Sequence, residues 1–265
     1  MLNRLKSAFV SRSELVEHVA TLADWLEPAS PGVFVGGQEA AEERLKQLDP
    51  QAYCRSRNFL DGKVTRLSPY IRHGILTLDQ VRNTALDKVS KAAQIEKFIQ
   101  ELAWRDYWQR VYYRHPEYIW QDIENYKTGL AADDYADQLP EDIASGSTGV
   151  ACIDQFIAEL LDSGYLHNHA RMYVAAYVVH WRRVKWQAGA KWFLHHLLDG
   201  DPASNNLSWQ WVASTFSNKP YIFNLENVRK YAHPGINTHS AENKVLNASY
   251  DELNARLFPI ERGAL

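Results

Sequence analysis

Helical periodicity constrains the fold of this chain more than any other feature, because strand signals are nearly absent. The 265 residues contain no good run of alternating β-branched residues and no Asn-Gly hairpin turn. Apolar side chains recur at helical spacing instead, and Ile95, Phe98 and Leu102 lie on one stripe of a long helix. That helix is predicted over about residues 91–113. The sequence therefore predicts an all-α fold.

Capping motifs mark the starts of several predicted helices. The predicted caps are Ser68 before Pro69, Thr77 with Gln80 as a capping box, Thr148, and Asp201 before Pro202. Further helices are predicted over residues 38–48, 148–164 and 168–186, and the tail after about Tyr231 is predicted to pack loosely. We therefore predict a helical extension over residues 1–32, followed by one all-helical domain over residues 33–265.

The composition is that of an ordinary globular protein. It has 46% hydrophobic and 23% charged residues, which excludes a disordered chain. Two cysteines, Cys54 and Cys152, are too few for a disulfide framework or a four-thiolate metal site. No signal peptide and no membrane-spanning stretch is recognisable. We therefore expect a cytoplasmic protein with no metal site and no membrane partner, monomeric by default.

Charge is distributed unevenly along the chain. The net charge of −3 does not by itself suggest a nucleic-acid-binding protein. However, residues 165–196 contain no Asp or Glu, and residues 55–72 carry five basic residues against one acid. If these two segments share a face, that face can bind polyanions. A mosaic of solvated charges is the alternative.

The segment from Phe98 to Trp108 mixes charged and aromatic residues on the long predicted helix. Glu101 and Arg105 are spaced i,i+4, so they can pair on one face. A purely structural salt bridge is one interpretation of this spacing. The other is a pocket, because an arginine flanked by aromatic rings can hold a phosphate or a planar ring.

Two later segments place polar groups at predicted helix starts. Residues 164–172 put Asn168 and Arg171 in a first helical turn, where free backbone N–H groups favour anions; a simple Asn cap is the alternative. Residues 198–214 put Asp199 and Asp201 round a tight turn before Asn205. Such a carboxylate can pair with an arginine, orient a heterocycle or accept ribose hydroxyls. A calcium loop is excluded because it needs more acids at alternate positions.

These three segments, in this order, resemble the FAD-binding domain of the DNA photolyase/cryptochrome family. Further stretches agree with that resemblance, and they are residues 36–45, 53–59, 65–70, 146–149 with Asp154, and 216–224. The resemblance covers roughly residues 33–224 and implies an all-helical fold that binds FAD. The family's usual N-terminal antenna domain has no counterpart here. No antenna chromophore and no iron–sulfur cluster are therefore expected.

The resemblance also implies which residues contact FAD. They are Tyr53, Thr65, Arg66, Leu67, Ser68, Arg105, Asn168, Arg171, Phe193, Asp199, Asp201 and Asn205. The segment 65–68 matches the part that holds the phosphates. Arg171 and Asp199 match a pair beside the isoalloxazine ring, and Asn168 matches the residue facing flavin N5, as in photolyases.

A pocket for a flipped pyrimidine dimer is implied in the same way. The implied catalytic residues are Glu101, Trp104, Asn168, Met172 and Trp211. The implied DNA contacts are Arg57, Trp104, His169, Met172 and Trp211. Tryptophan rings offer faces for the bases, and damaged bases are cheap to flip because they pair poorly.

Several positions depart from the family's pattern. Val64, His169 and Tyr221 each remove a usual polar or basic contact to phosphate. We therefore expect weak duplex binding and a preference for single-stranded damaged DNA. Trp209 and Trp186 match two members of the chain that photoreduces FAD. The third tryptophan is missing, and Tyr135, Trp181 or cellular reductants are the alternatives.

Three functional hypotheses follow from the resemblance. The first is light-driven repair of cyclobutane pyrimidine dimers by a deoxyribodipyrimidine photolyase-like lyase that uses reduced FAD. The second is a cryptochrome-like blue-light receptor that binds FAD and repairs nothing. The third is a helical interaction protein with a vestigial cofactor site.

Overall fold

The computed structural model describes residue 6 and residues 8–22 and 32–258. Within these ranges the regular structure is helical, and one isolated parallel bridge joins Ala136 to Val184. The prediction of an all-α fold is confirmed. No helix in this part of the chain is both long and apolar enough to span a bilayer.

Thirteen α-helices are numbered in chain order within the described residues. They are α1 Arg12–Leu22, α2 Gln38–Lys46, α3 Pro50–Ser56, α4 Ser68–Arg72, α5 Leu78–Asp87, α6 Glu96–Arg114, α7 Glu141–Ala144, α8 Ala151–Ser163, α9 Asn168–Ala176, α10 Trp186–His196, α11 Pro202–Ala213, α12 Leu225–Tyr231 and α13 Tyr250–Leu257. Short 3-10 turns and one π-helical turn, Tyr177–Trp181, connect some of them.

The chain divides into two compact units, Met1–Val35 and Gly36–Leu265. In the first unit α1 buries no residue, and Arg12 donates to the carbonyls of Gly32 and Phe34 at 2.6 and 2.8 Å. Much of the predicted extension, residues 1–5, 7 and 23–31, lies outside the described residues.

The second unit has its largest hydrophobic core around α8 to α11. Phe156, Tyr173 and Trp186 are fully buried there. Helices α10 and α11 approach closely at Gly189, where an added Cβ would lie 2.3 Å from Cη2 of Trp209. Only glycine fits at this crossing, because any side chain at position 189 would overlap the Trp209 ring and force the two helices apart.

Two of the four predicted caps are confirmed. Asp201 accepts from the backbone N–H of Ser204 at 3.2 Å, and Thr77 forms a capping box with Gln80. Satisfying a free N–H in this way stabilises a helix start by about 1 kcal/mol. Capping by Asp201 ties this carboxylate to the first turn of α11.

The other two predicted caps are wrong. Ser68 is already helical, and Leu67 occupies the cap position without a side-chain hydrogen bond. Thr148 lies outside α8, which begins at Ala151. The side chain of Asp154, in the first turn of α8, instead accepts from the N–H groups of Thr148 and Gly149 before the helix, at 2.8 and 3.1 Å. A carboxylate in the first turn thus replaces the hydroxyl.

The single helix predicted over residues 168–186 is also wrong. Helix α9 widens into the π-turn, Arg183 adopts a positive φ of 52°, and α10 starts only at Trp186. The break has a tertiary cause, because Ala136 donates to the carbonyl of Arg183 at 2.7 Å and accepts from Lys185 at 2.9 Å. These long-range hydrogen bonds replace the local helical ones.

The described part of the tail, up to residue 258, is firmly packed, contrary to the prediction of loose packing. Leu246 and Leu253 are fully buried, and so is Asn243. The Asn243 side chain accepts from the Cys152 N–H at 3.0 Å and so satisfies a free donor at the start of α8. The tail therefore completes the core through contacts far apart in sequence.

Candidate functional site

A buried ion pair lies at the centre of the candidate site. Nη2 of Arg171, on α9, is 2.9 Å from Oδ2 of Asp199, on the turn before α11. Burial opposes the ionisation of Asp199, but the charge and hydrogen bond of Arg171 outweigh it and keep the pKa of this carboxyl below its usual value. The other oxygen, Oδ1, is buried without a hydrogen-bond partner among the described residues. It is therefore available to an N–H or O–H donor of a ligand.

Asp201 is anchored from several sides. It caps α11, its carboxylate accepts from Ser204 Oγ at 2.7 Å, and Gln109 on α6 donates to both of its oxygens at 2.8 and 2.7 Å. Nη2 of Arg105 lies 3.9 Å from it. The spacing allows Arg105 to pair with Glu101, but Arg105 lies beside this more deeply buried carboxylate instead.

Glu101 pairs instead with two other basic residues. Its Oε1 is 2.9 Å from Nη1 of Arg57 and 3.1 Å from Nζ of Lys97. All three side chains are partly exposed, so each pair is worth at most about 1 kcal/mol. Tyr53 packs edge-on against Phe98 at 5.1 Å, and burial, followed by the charge of Glu101, raises its pKa to about 12.

The segment before α4 forms a strained turn next to the ion pair. Thr65 Oγ1 accepts from the Leu67 N–H at 3.3 Å, and Arg66 has a positive φ of 52°. The ring of Tyr165 contacts two guanidinium groups, 5.5 Å from Arg66 and 5.3 Å from Arg171. The predicted phosphate segment therefore lies close to the Arg171–Asp199 pair.

Hydrogen bonds join α4 and the residue after it to the turn that carries Asp199 and Asp201. Arg72 Nε donates to the Gly200 carbonyl at 2.5 Å, and His73 Nε2 lies 3.0 Å from the Leu198 carbonyl. The Ser68 side chain also helps to lower the pKa of Asp199, after the larger effects of burial and Arg171. The structure thus brings the segment 65–68 and the turn 199–201 together.

Large aromatic rings are exposed beside these charges. Trp104 on α6 is 47% exposed and Trp211 on α11 is 39% exposed. Trp104 stacks on Trp108 at 5.2 Å, and Trp108 lies 5.6 Å from Phe216, so the ring is supported from behind. Exposed and rigidly supported indoles are suited to stacking on planar ligands.

Asn168 lies in the first turn of α9, as the sequence predicts, and the alternative of an Asn cap is excluded. His167 is the cap, and its Nδ1 accepts from the His169 N–H at 3.1 Å. Asn168 is exposed, with its amide Nδ2 3.8 Å from Sδ of Met172. The aromatic ring of His169 packs at 4.7 Å on Tyr173, and burial lowers its pKa. His169 is therefore mainly neutral at pH 7.

Two predicted electron-transfer tryptophans, Trp186 on α10 and Trp209 on α11, are buried. Trp209 meets Phe193 edge-on at 5.0 Å, and its Nε1 has no hydrogen-bond partner among the described residues. Nε1 of Trp186 donates to Asp122 at 2.5 Å. Asn205 donates to the Ala190 carbonyl at 3.0 Å, which links α11 to α10.

Sequence reasoning missed three contributors to this site. Gln109 donates to Asp201, and Asp122 accepts from Trp186. Tyr165 contacts two arginines. Gln109 lies one turn beyond Arg105 on the same helix, so helical spacing could have indicated it. The partner of Trp186 is far away in sequence, and no local pattern could have indicated that contact.

The polar and charged side chains of this site fit a flavin dinucleotide. Asp199 offers an open acceptor for a ring N–H or a ribityl hydroxyl, and Arg171 and Arg105 offer positive charge. The segment 65–68 offers hydroxyl groups and a helix start for phosphate. These residues would hold the ring and the phosphates of one molecule of FAD.

Comparison with known proteins agrees with this geometry. A family model described as the FAD binding domain of DNA photolyase matches residues 98–238. The chain is 35% identical over 196 residues to the deoxyribodipyrimidine photo-lyase of Streptomyces griseus, covering 72% of this chain and 42% of that protein. The chain therefore spans about two fifths of this relative's length.

Solved structures give the same result. An archaeal photolyase from Sulfolobus tokodaii with two FAD molecules matches with a TM-score of 0.62 and 27% identity, covering 77% of this chain and 46% of that one. A Synechocystis cryptochrome shares the fold with a TM-score of 0.68 and 22% identity, covering 84% of this chain and 51% of that one. The chain belongs to the DNA photolyase/cryptochrome family and contains its FAD-binding domain.

Proposed function

We propose that this protein repairs cyclobutane pyrimidine dimers in DNA by light-driven electron transfer from reduced FAD. One observation supports this proposal most: a buried Asp199 oxygen without a hydrogen-bond partner among the described residues lies in the same unit as the exposed rings of Trp104 and Trp211. The first suits a flavin and the second suits a flipped base. Several relatives named deoxyribodipyrimidine photo-lyase support the same reaction.

The cofactor would be held by residues that already pair with each other. FAD, when bound and reduced, supplies the electron that light drives into the lesion. Asp199 would accept from the flavin, and Arg171 and Arg105 would stabilise negative charge on it in a poorly solvated place. The residues at 65–68 would hold the phosphates.

The lesion would bind to the exposed aromatic side. Trp104 and Trp211 would contact the faces of the damaged bases, and Met172 would add a pliable apolar contact. Asn168 is exposed beside Met172, which supports a contact with the lesion or with the flavin ring. Glu101 would accept a hydrogen bond from the base edge, with Arg57 and Lys97 holding its carboxylate.

We also propose that single-stranded DNA is the better substrate. The acid-free segment 165–196 is largely neutralised, because Arg182 pairs with Asp142 at 2.7 Å and Lys185 pairs with Asp137 at 2.6 Å. His169, a proposed DNA contact, is mainly neutral because burial lowers its pKa. This segment then offers less positive charge to the two phosphate backbones of a duplex.

Photorepair tests the proposal directly. The protein is reduced anaerobically, mixed with ultraviolet-damaged oligothymidine as single strand or as duplex, and illuminated with blue light. We expect thymine absorbance to recover in light only, and faster on the single strand. No recovery from an FAD-loaded sample would contradict repair and support the receptor. Failure to bind FAD would support a vestigial site.

A pair of variants on one helix locates the lesion pocket. Trp104→Ala removes one proposed stacking face, and base stacking of this kind is worth about 1–3 kcal/mol, so repair should fall about tenfold or more. Tyr113→Ala is the matched control, because Tyr113 also lies on α6 and is 90% exposed. Equal repair by the two variants, with FAD bound in both, would contradict a stacking role for Trp104.

A further inference from the structure

Four aromatic side chains form a strip that begins at the proposed lesion pocket. Trp211, one of the proposed lesion contacts, is 39% exposed, and its ring lies 5.7 Å from that of Tyr221. Phe59, in the loop after α3, is 41% exposed and meets the ring of Tyr231 edge-on at 5.4 Å. We call Trp211, Tyr221, Tyr231 and Phe59 the aromatic strip.

The two pairs of rings lie in one neighbourhood. Burial raises the pKa of Tyr221, and the nearby phenols of Tyr250 and Tyr231 raise it further. The fully buried Tyr173 also has both Tyr221 and Tyr231 among the phenols that raise its pKa after burial. Tyr221 and Tyr231 are themselves partly exposed. The two ring pairs therefore belong to one partly exposed aromatic patch.

His169 joins this strip to the first turn of α9. Its ring lies 4.8 Å from the ring of Tyr231 and 4.7 Å from the ring of Tyr173, and its Nδ1 is 2.6 Å from the Asn58 carbonyl. Two proposed DNA contacts, Trp211 and His169, thus belong to the strip or touch it. Rings that are already held by their neighbours lose little conformational freedom when a ligand stacks on them.

The charges beside the strip suit a polyanion near Tyr231. Nζ of Lys230 lies 5.3 Å from the Tyr231 ring, and among the described residues no acid forms a salt bridge with this lysine. Tyr250 is different, because burial and then the charge of Glu226 raise its pKa. A carboxylate beside Tyr250 would repel a phosphate, so this exposed tyrosine does not belong to the strip.

We propose that the aromatic strip binds the unpaired bases that flank the lesion in single-stranded DNA. Every base has a flat face that can stack on an aromatic ring, whereas the bases of a duplex are already paired and stacked on each other. This inference rests on the proposed function and gives its single-strand preference a physical cause. The protein would hold flanking DNA largely by stacking and only in part by phosphate contacts.

Binding measured in the dark by fluorescence anisotropy tests the strip without relying on repair. The probes are a bare thymine dimer and the same dimer with unpaired thymidine flanks. In the wild type the flanks should tighten binding about tenfold, which corresponds to about 1.4 kcal/mol. Phe59→Ala removes an exposed ring and should lose most of this gain. Tyr113→Ala is the matched control, because its 90% exposed ring on α6 lies outside the strip and the gain should remain.

Two further measurements identify stacking as the cause. Phe59→Ala should leave the dependence of log K on log salt unchanged, whereas Lys230→Ala should make it shallower by about one unit. In the wild type, oligothymidine with 5-iodouracil in its flanks should cross-link under near-ultraviolet light to Phe59, Tyr221 or Tyr231. Mass spectrometry locates these cross-links without any variant that could fail to fold.

Three outcomes would overturn the inference. They are an equal gain from the flanks in Phe59→Ala and Tyr113→Ala, cross-links only outside the strip, and self-association that Phe59→Ala abolishes, which would assign the strip to a second copy of this chain. Undamaged oligothymidine separates the two proposals. If Phe59→Ala weakens its binding while the reduced wild type repairs nothing, the proposed repair fails and the strip stands. If repair proceeds and the flanks add no affinity, only the strip fails.

Discussion

At the residue scale, Asp199 depends on a buried partner that its spacing in the sequence could not reveal. Its carboxylate is the partner of Arg171 across 28 positions in the chain. Asp199→Asn keeps the shape but leaves the guanidinium with a neutral partner in a buried place. We expect a loss of roughly 3 kcal/mol in the free energy of unfolding, together with weaker FAD binding.

Urea denaturation and release of FAD fluorescence measure these two effects. The matched control is Asp137→Asn, which removes the same charge from a mainly exposed pair with Lys185 and should cost far less stability than Asp199→Asn. Equal losses in both variants would show that burial of Asp199 is not what makes its charge important.

A second prediction at this scale concerns pH. His180 is fully buried, and burial lowers its pKa from 6.5 to about 4, while Nε2 lies 3.0 Å from the Val212 carbonyl. The unfolded chain therefore binds this proton at higher pH than the folded protein does. Stability contributed by neutral His180 is present above pH 6.5 and is lost as the pH falls toward 4.

Urea midpoints between pH 7 and 4.5 test this coupling. His180→Asn should flatten the decline in the free energy of unfolding by roughly 1–2 kcal/mol across that window. His115→Asn, at a mainly exposed position, should leave the slope of the wild type unchanged. If the free energy of unfolding of His180→Asn fell with pH as steeply as that of the wild type, other groups would cause the pH dependence.

Individual site residues were predictable where a local motif fixed them. Asp201 before Pro202 is a cap in the sequence and in the structure. The partner of Arg105 was not predictable, because i,i+4 spacing offers Glu101 whereas burial favours Asp201. Local spacing shows which pairs are possible, and tertiary burial decides which of them forms.

At the element scale, the crossing of α10 and α11 depends on one glycine. Gly189→Ala would place a Cβ 2.3 Å from the Trp209 ring, so the helices must separate. Overpacking of this kind costs about 1–3 kcal/mol. We expect lower stability and a changed near-ultraviolet circular dichroism of the indoles. Gly36→Ala is the control, since nothing lies within 4 Å of its added Cβ.

Element boundaries followed from sequence where the caps were local. The capping box of Thr77 and Gln80 marks α5 correctly, whereas the break between α9 and α10 was missed. That break is held by hydrogen bonds from Ala136, about 50 residues away. The packed tail was missed for the same reason, because Leu246 is buried against elements remote in sequence.

At the scale of the whole molecule, the net charge of −3 and the pairing of basic side chains decide how DNA is held. Sequence alone suggested a positive face, because residues 165–196 lack acids. The fold instead brings Asp137 and Asp142 against that segment. Fewer cations of this segment then remain to release counterions from phosphate, so affinity for damaged duplex should fall less steeply with salt.

Restoring one cation at position 169 tests this account. His169 lies in the first turn of α9 and is mainly neutral, because burial lowers its pKa. His169→Arg adds a charge there, and it should steepen the salt dependence of duplex binding by about one unit of log K per log salt. His115→Arg makes the same substitution at a site outside the proposed lesion pocket and controls for net charge alone.

Fluorescence anisotropy over a salt series measures the salt dependence of duplex binding for both variants. If both variants steepen the slope equally, the effect belongs to the net charge of the molecule; if only His169→Arg does, DNA passes over the start of α9, and the neutral histidine explains a preference for single strands.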